Sequence, residues 1–170
     1  MNDAAATLLG IAIASGNPEP PAALPAKLQQ RAAQGIVPHG QVLTWSDSTA
    51  DADSALSSFN DLTGWECSTN FLHLEDYVPI TINLVDGTPV LAEADQKTLL
   101  THGFAFTMTF CQLVYALDSP TAVRCILAVN ETNATFRFHQ IRPGEQWNSP
   151  DLDDYHHEKL ILVDIEPTPT

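Results

Sequence analysis

Apolar residues along this chain change rhythm, and the changes predict where helices give way to strands. Over residues 3–14, DAAATLLGIAIA, small and aliphatic residues predict a helix, with Asp3 as its cap and Ser15-Gly16 as its stop. NPEPP follows as an extended, proline-rich spacer. Pro25 then suits the first turn of a second helix, with Leu24, Leu28 and Ala32 on one side and Gly35 as the stop. A third helix is predicted after WSDS. Ser48 caps it, and Asp51 and Asp53 meet the positive end of the helix dipole. Ala52, Ala55, Leu56, Phe59 and Leu62 recur at helical spacing until Gly64.

After Gly64 a period of two takes over. Phe71 to Val78 reads as extended chain. In ITINLVDGTPVL, Ile80, Ile82 and Leu84 alternate with polar residues, and Asp86-Gly87 supplies the two positive-φ positions of a tight hairpin turn. A short helix is expected from Asp95 to about His102, ended by Gly103. FAFTMTFCQLVYAL is read as a strand with Phe104, Phe106, Met108 and Phe110 on one side, although a buried helix has the same composition. AVRCILAVNETNATFRFHQI predicts two strands around the turn Asn130 to Asn133. Val123, Cys125, Leu127 and Val129 face inward opposite Phe136 and Phe138. KLILVDIE adds a last strand.

The sum is an α+β fold, mainly an antiparallel sheet of about 5–6 strands within residues 70–166, with helices on one face. Residues 1–35 are expected to form an N-terminal helical arm or subdomain, and residues 36–170 the α+β domain.

Charge sharpens the functional reading. Twenty-one acids face seven bases, for a net charge of −14. From Ala32 to Gln96 there is no Lys or Arg, while ten acids occur. Such a surface repels phosphate backbones and anionic headgroups, so neither direct nucleic-acid binding nor a membrane is expected. A basic protein partner fits, and self-association through the N-terminal arm stays open. Asp3 stands where a secretory signal has basic residues, and no stretch gives a membrane-spanning run. Three cysteines without CxxC pairing favour a reducing cytoplasm.

The richest polar stretch is SPDLDDYHHE. Ser149 as cap, Pro150 at the first helical position, and Asp151, Asp153 and Asp154 in the first turn account for it as a short helix, with His156, His157 and Lys159 at its end. Helical spacing would also bring Asp153 and His157 to one face as two metal ligands, but two ligands make no closed site, and no metal or cofactor is expected. No hydrolase elbow, phosphate loop or dinucleotide fingerprint occurs. Cys67, His139 and His157 are the residues to test for catalysis, Cys111 and Cys125 are read as small core residues in apolar strands, and none is assigned a catalytic role. The candidate partner-binding residues are Asp47, Asp51, Asp53, Trp147, Asp151, Asp153, Asp154 and Glu158. Carboxylates beside a tryptophan anchor suit a basic partner. The leading expectation is an acidic protein-binding module, an inhibitor or immunity-type protein that neutralises a basic protein such as a toxin nuclease. The alternatives are a small enzyme or ligand-binding domain with a pocket between sheet and helices, and an assembly protein docking through its N-terminal arm.

Overall fold

The structure, a computed structural model, describes residues 1–11, 23–51 and 59–167. Among the described residues four helices and eight strands follow one another. They are α1 (Asp3–Leu9), α2 (Ala26–Gln34), β1 (Ile36–His39), β2 (Val42–Trp45), α3 (Leu62–Thr69), β3 (Phe71–His73), β4 (Asn83–Val85), β5 (Thr88–Val90), α4 (Glu93–Tyr115), β6 (Val123–Val129), β7 (Ala134–Gln140) and β8 (Lys159–Ile165). The fold is α+β, as expected. Its centre is a four-stranded antiparallel sheet in the order β3-β7-β6-β8, and β1-β2 and β4-β5 are separate hairpins.

The alternation in β6 and β7 sets the register. Cys125 pairs with Phe138 and Leu127 with Phe136, so all four turn to one face. That face is sealed by α4. Phe106, Phe110, Phe136 and Phe138 are wholly buried, and Trp45 from β2 stands edge-on to Phe138 at 5.1 Å and to Phe110 at 5.6 Å. Such edge-to-face contacts add to the burial of large apolar area. Asn130 turns the hairpin, its Oδ1 accepting from the backbone N–H of Thr132 and of Asn133.

Two sequence expectations are overturned. Residues 93–115 form one helix of 23 residues, not a short helix followed by a strand. Leu99, Gly103, Phe106, Phe110 and Val114 recur at helical spacing and are all buried. The threonines that suggested a strand return their hydroxyls to carbonyls four residues back, Thr107 to Gly103 at 3.0 Å and Thr109 to Ala105 at 3.3 Å. Gly103 does not stop the helix but lets it approach the sheet, since a Cβ there would lie 2.7 Å from Leu127 Cδ2 and 2.9 Å from Leu74 Cδ1. Residues 149–158 are the second correction. They make a single 3₁₀ turn at Leu152–Asp154, capped by Asp151 rather than Ser149.

Smaller differences have local causes. Asn2, not Asp3, caps α1, and Gly10 ends it in the left-handed conformation. Gly64 lies in the first turn of α3, where its N–H donates to Asp61 Oδ1 at 2.6 Å. Of the helix predicted after Ser48, residues 52–58 lie outside the described residues, while residues 48–51 and 59–61 are not helical and the helix there begins only at Leu62. The NPEPP spacer and the Ser15-Gly16 stop lie wholly outside the described residues. The Asp86-Gly87 turn has both positive φ angles, 50° and 78°, yet its hairpin stands out from the core with Leu84 70% exposed. α1 packs on β8 and α4, and α2 packs on α4. No helix among the described residues is long and apolar enough to cross a membrane.

Candidate binding cleft on the open sheet face

β6 lies between β7 and β8 and runs antiparallel to both, so β7 and β8 are parallel to each other. A chain joining parallel strands must travel the length of the sheet. Residues 141–158 do this, crossing the face opposite α4. Thr135, Arg137 and His139 of β7 point to this face, as do Arg124, Ile126 and Ala128 of β6 and Leu160 of β8, by alternation with the buried apolar set.

The crossing segment has little regular structure, so its polar groups are fastened individually. At its start Arg142 closes on Glu66 of α3 through both nitrogens, Nη1 to Oε2 at 2.7 Å and Nη2 to Oε1 at 2.9 Å. The wholly buried Glu66 also accepts from the backbone N–H of Leu43 and of Gln140. Four donors on one carboxylate offset the cost of burying its charge. Glu145 accepts from the Thr63 N–H at 2.9 Å. At the far end Asn2 Nδ2 donates to the Glu158 carbonyl at 2.7 Å, and the Asp3 N–H donates to Asp153 Oδ1 at 2.8 Å.

Between segment and sheet lies a cleft of about 440 Å³, within the usual range for small-ligand sites. Ile126, Ala128 and Leu160 give it an apolar floor, with Thr135, Arg137 and His73 on the strand side and Trp147, Asn148, Tyr155 and Glu158 on the segment side. Arg137 is a strut. Its Nη1 donates to the Cys67 carbonyl at 2.8 Å, and its guanidinium lies 5.0 Å from the Phe71 ring and 5.7 Å from the Trp147 ring. Burial pushes its pKa down from the ordinary value, partly offset first by Cys67 and then by the charge of Glu158. Tyr155 holds the segment's turn, its hydroxyl accepting from the Ser149 N–H at 2.9 Å.

The predicted residues divide. Trp147, 41% exposed, and Glu158 line the cleft. Asp151, Asp153 and Asp154 stand exposed on the adjoining turn, where they accept from the Asp153 N–H, the Asp3 N–H and the Ser149 hydroxyl. Asp47 is elsewhere. It pairs with Arg31 of α2 at 2.8 Å, and Arg31 lies over Trp45 on the helix side of the sheet. Asp51 is exposed after β2, and Asp53 lies outside the described residues. Trp45 and Trp65 are buried. Arg137, Asn148 and Tyr155 went unread in sequence. Arg137 alone had a signal, its place between the inward Phe136 and Phe138.

Nucleophile chemistry finds little footing. Burial pushes the Cys67 thiol up to about 12 and the Cys125 thiol well above its ordinary value, so both stay protonated at neutral pH. Without a helix at 149–158, Asp153 and His157 lose the spacing that would align them. No group of three or more His, Cys, Asp or Glu among the described residues could hold a metal ion.

One family model, described as Uncharacterized protein PM0498 family, matches residues 12–169. No curated protein and no solved structure matches the chain.

Proposed function

The chain belongs to that family, and we propose that it is a binding module for a basic protein, with the cleft and the acidic turn beside it as the contact surface. The observation that carries this reading is the setting of Trp147. An exposed indole, backed by Arg137, stands beside Asp151, Asp153, Asp154 and Glu158, none of which forms an ion pair among the described residues. Elsewhere four of the seven bases are spent internally, and the other three, Lys27, Lys97 and Lys159, are far outnumbered by the acids. Arg31, Arg124 and Arg142 are each closed on a carboxylate, and Arg137 is held between two rings. The outward field is therefore negative, which favours encounter with cationic protein and disfavours nucleic acid or an anionic membrane. In its finer form the protein is an inhibitor or immunity-type protein that occludes a cationic active site, its carboxylates lying where substrate phosphates would.

The test is retention of basic proteins from the source cell on the immobilised protein, followed by affinity measurement with the purified partner. A retained basic protein is expected to bind less tightly as salt rises. Trp147→Ala should weaken it roughly 30-fold, as for loss of an interface hot spot, with thermal stability unchanged. Recovery of no basic protein, or full affinity in Trp147→Ala, overturns the reading.

A further inference from the structure

We propose that the cleft is a socket for a lysine side chain of the partner, a primary ammonium carried on an aliphatic stem. This rests on the reading above and names what enters the site. Two groups carry it, both on the segment side of the cleft. Glu158 makes no side-chain hydrogen bond or ion pair among the described residues, so both carboxylate oxygens are uncommitted. Asn148 is only 9% exposed, and its Oδ1 has no hydrogen-bond partner. A buried acceptor left unpaired costs free energy until a donor reaches it. Two acceptors lining one cleft, one of them charged, call for a ligand rich in N–H donors and positive in charge.

The shape of the cleft selects among cations. Its floor of Ile126, Ala128 and Leu160 is apolar and suits a run of methylenes, and Trp147 adds an aromatic wall. A lysine stem buries against such a surface while its ammonium reaches the polar end. A guanidinium would seek a flat ring face as well, but Arg137 already lies against Trp147. Arg137 does not forbid a second cation. It acts on Glu158 through charge without hydrogen-bonding to it, its direct donation going to the Cys67 carbonyl. An incoming ammonium would then share one carboxylate with Arg137, while Asp151, Asp153 and Asp154 keep the surroundings negative.

The experiment is an NMR titration of the full chain with three probes: N-acetyl-lysine amide, N-acetyl-arginine amide and the uncharged N-acetyl-norleucine amide. The lysine probe is expected to shift the Trp147 indole N–H and the Asn148 side-chain amide saturably. The norleucine probe should leave them in place and the arginine probe should bind more weakly. Glu158→Gln, which keeps shape and removes charge, should weaken the lysine probe roughly 10- to 100-fold, as for loss of a charged hydrogen bond, at an unchanged melting temperature. Equal response to norleucine, preference for arginine, or full binding by Glu158→Gln overturns the socket. If the socket fails while the basic partner still depends on Trp147, the module reading stands without it. If no basic protein is retained and the lysine probe still binds in the Glu158-dependent way, the cleft takes free amines and the module reading falls.

Discussion

The two faces of the central sheet are made by the same strands, yet they are built on opposite chemistry. On one face Leu127, Phe136 and Phe138 meet α4 and Trp45 in a dry core. On the other, Thr135, Arg137 and His139 meet a crossing segment that consists of turns. The difference follows from what covers each face. A helix satisfies its own backbone groups, so the surface beneath it can be wholly apolar. An irregular segment must find partners for its peptide groups one at a time, and the sheet beneath it has to supply polar side chains. Where that pairing is incomplete, at Asn148 and Glu158, acceptors remain for something else. The polar face is a consequence of irregular cover, and the dry face is what makes that irregularity tolerable.

The sharpest way to break this comparison is to open the dry face. Phe136→Ala removes a fully buried ring in contact with Phe106 at 5.0 Å and Phe110 at 5.4 Å. It is expected to cost about 3–5 kcal/mol in urea unfolding. A loss below about 1 kcal/mol would mean that this face is loosely packed and that the contrast with the cleft is overstated.

A subtler probe is the closeness of α4 to the sheet at Gly103. The methyl group of Gly103→Ala would press on the tips of Leu127 and Leu74, both fully buried and unable to swing into solvent. Overpacking costs about 1–3 kcal/mol, while the gain in helix propensity returns at most about 1 kcal/mol. A net destabilisation of about 1 kcal/mol is expected, read as a lower urea midpoint with the slope unchanged. A variant more stable than the parent would show that the helix does not sit as close as the two leucines imply.

The same contrast separates what was legible in the chain from what was not. The inward positions of β6 and β7 announced the dry face because burial on one side forces alternation, whereas β8, with four apolar residues in a row, was legible only as a strand. The Asp86-Gly87 turn was readable because few residue pairs accept two positive φ angles. α4 was misread because Thr107 and Thr109 look like strand residues until their hydroxyls are seen bonded within the helix. Gly103 looks like a stop until the two leucines beyond it are placed. In SPDLDDYHHE the capping signals serve a 3₁₀ turn as well as a helix. The choice rests on Asn2 and Asp3, which hold the turn from the other end of the chain. The cleft was hidden for a topological reason: nothing local says that residues 141–158 cross one face and not the other. The acidic clusters show both outcomes, Glu158 reaching the site and Asp47 closing on Arg31.

The mildest test reaches the polar face through pH. His139 is 3% exposed, and its Nδ1–H donates to the Gln140 carbonyl at 2.7 Å while Nε2 has no partner. Burial lowers its pKa, and the charges of Arg124 and Arg142 act in the same direction. The Gln140 hydrogen bond and Glu66 oppose them without prevailing. A proton added at Nε2 would sit in a dry place with nothing to accept from it. The unfolded chain, with a histidine pKa of about 6.5, takes up that proton first. Stability is therefore complete above about pH 6.5 and declines as pH falls towards the lower folded value. Asp164, held below the ordinary carboxylate range by Arg124, loses its contribution only at more acidic pH, so the two effects separate. His139→Asn keeps a donor for Gln140 and removes the titration. Its unfolding free energy should fall less steeply than the parent's between about pH 6.5 and 5. Some slope should remain from His102, whose pKa is also lowered by burial. An unchanged slope in the variant would mean that water reaches His139, and that the face beneath the crossing segment is wetter than its burial indicates.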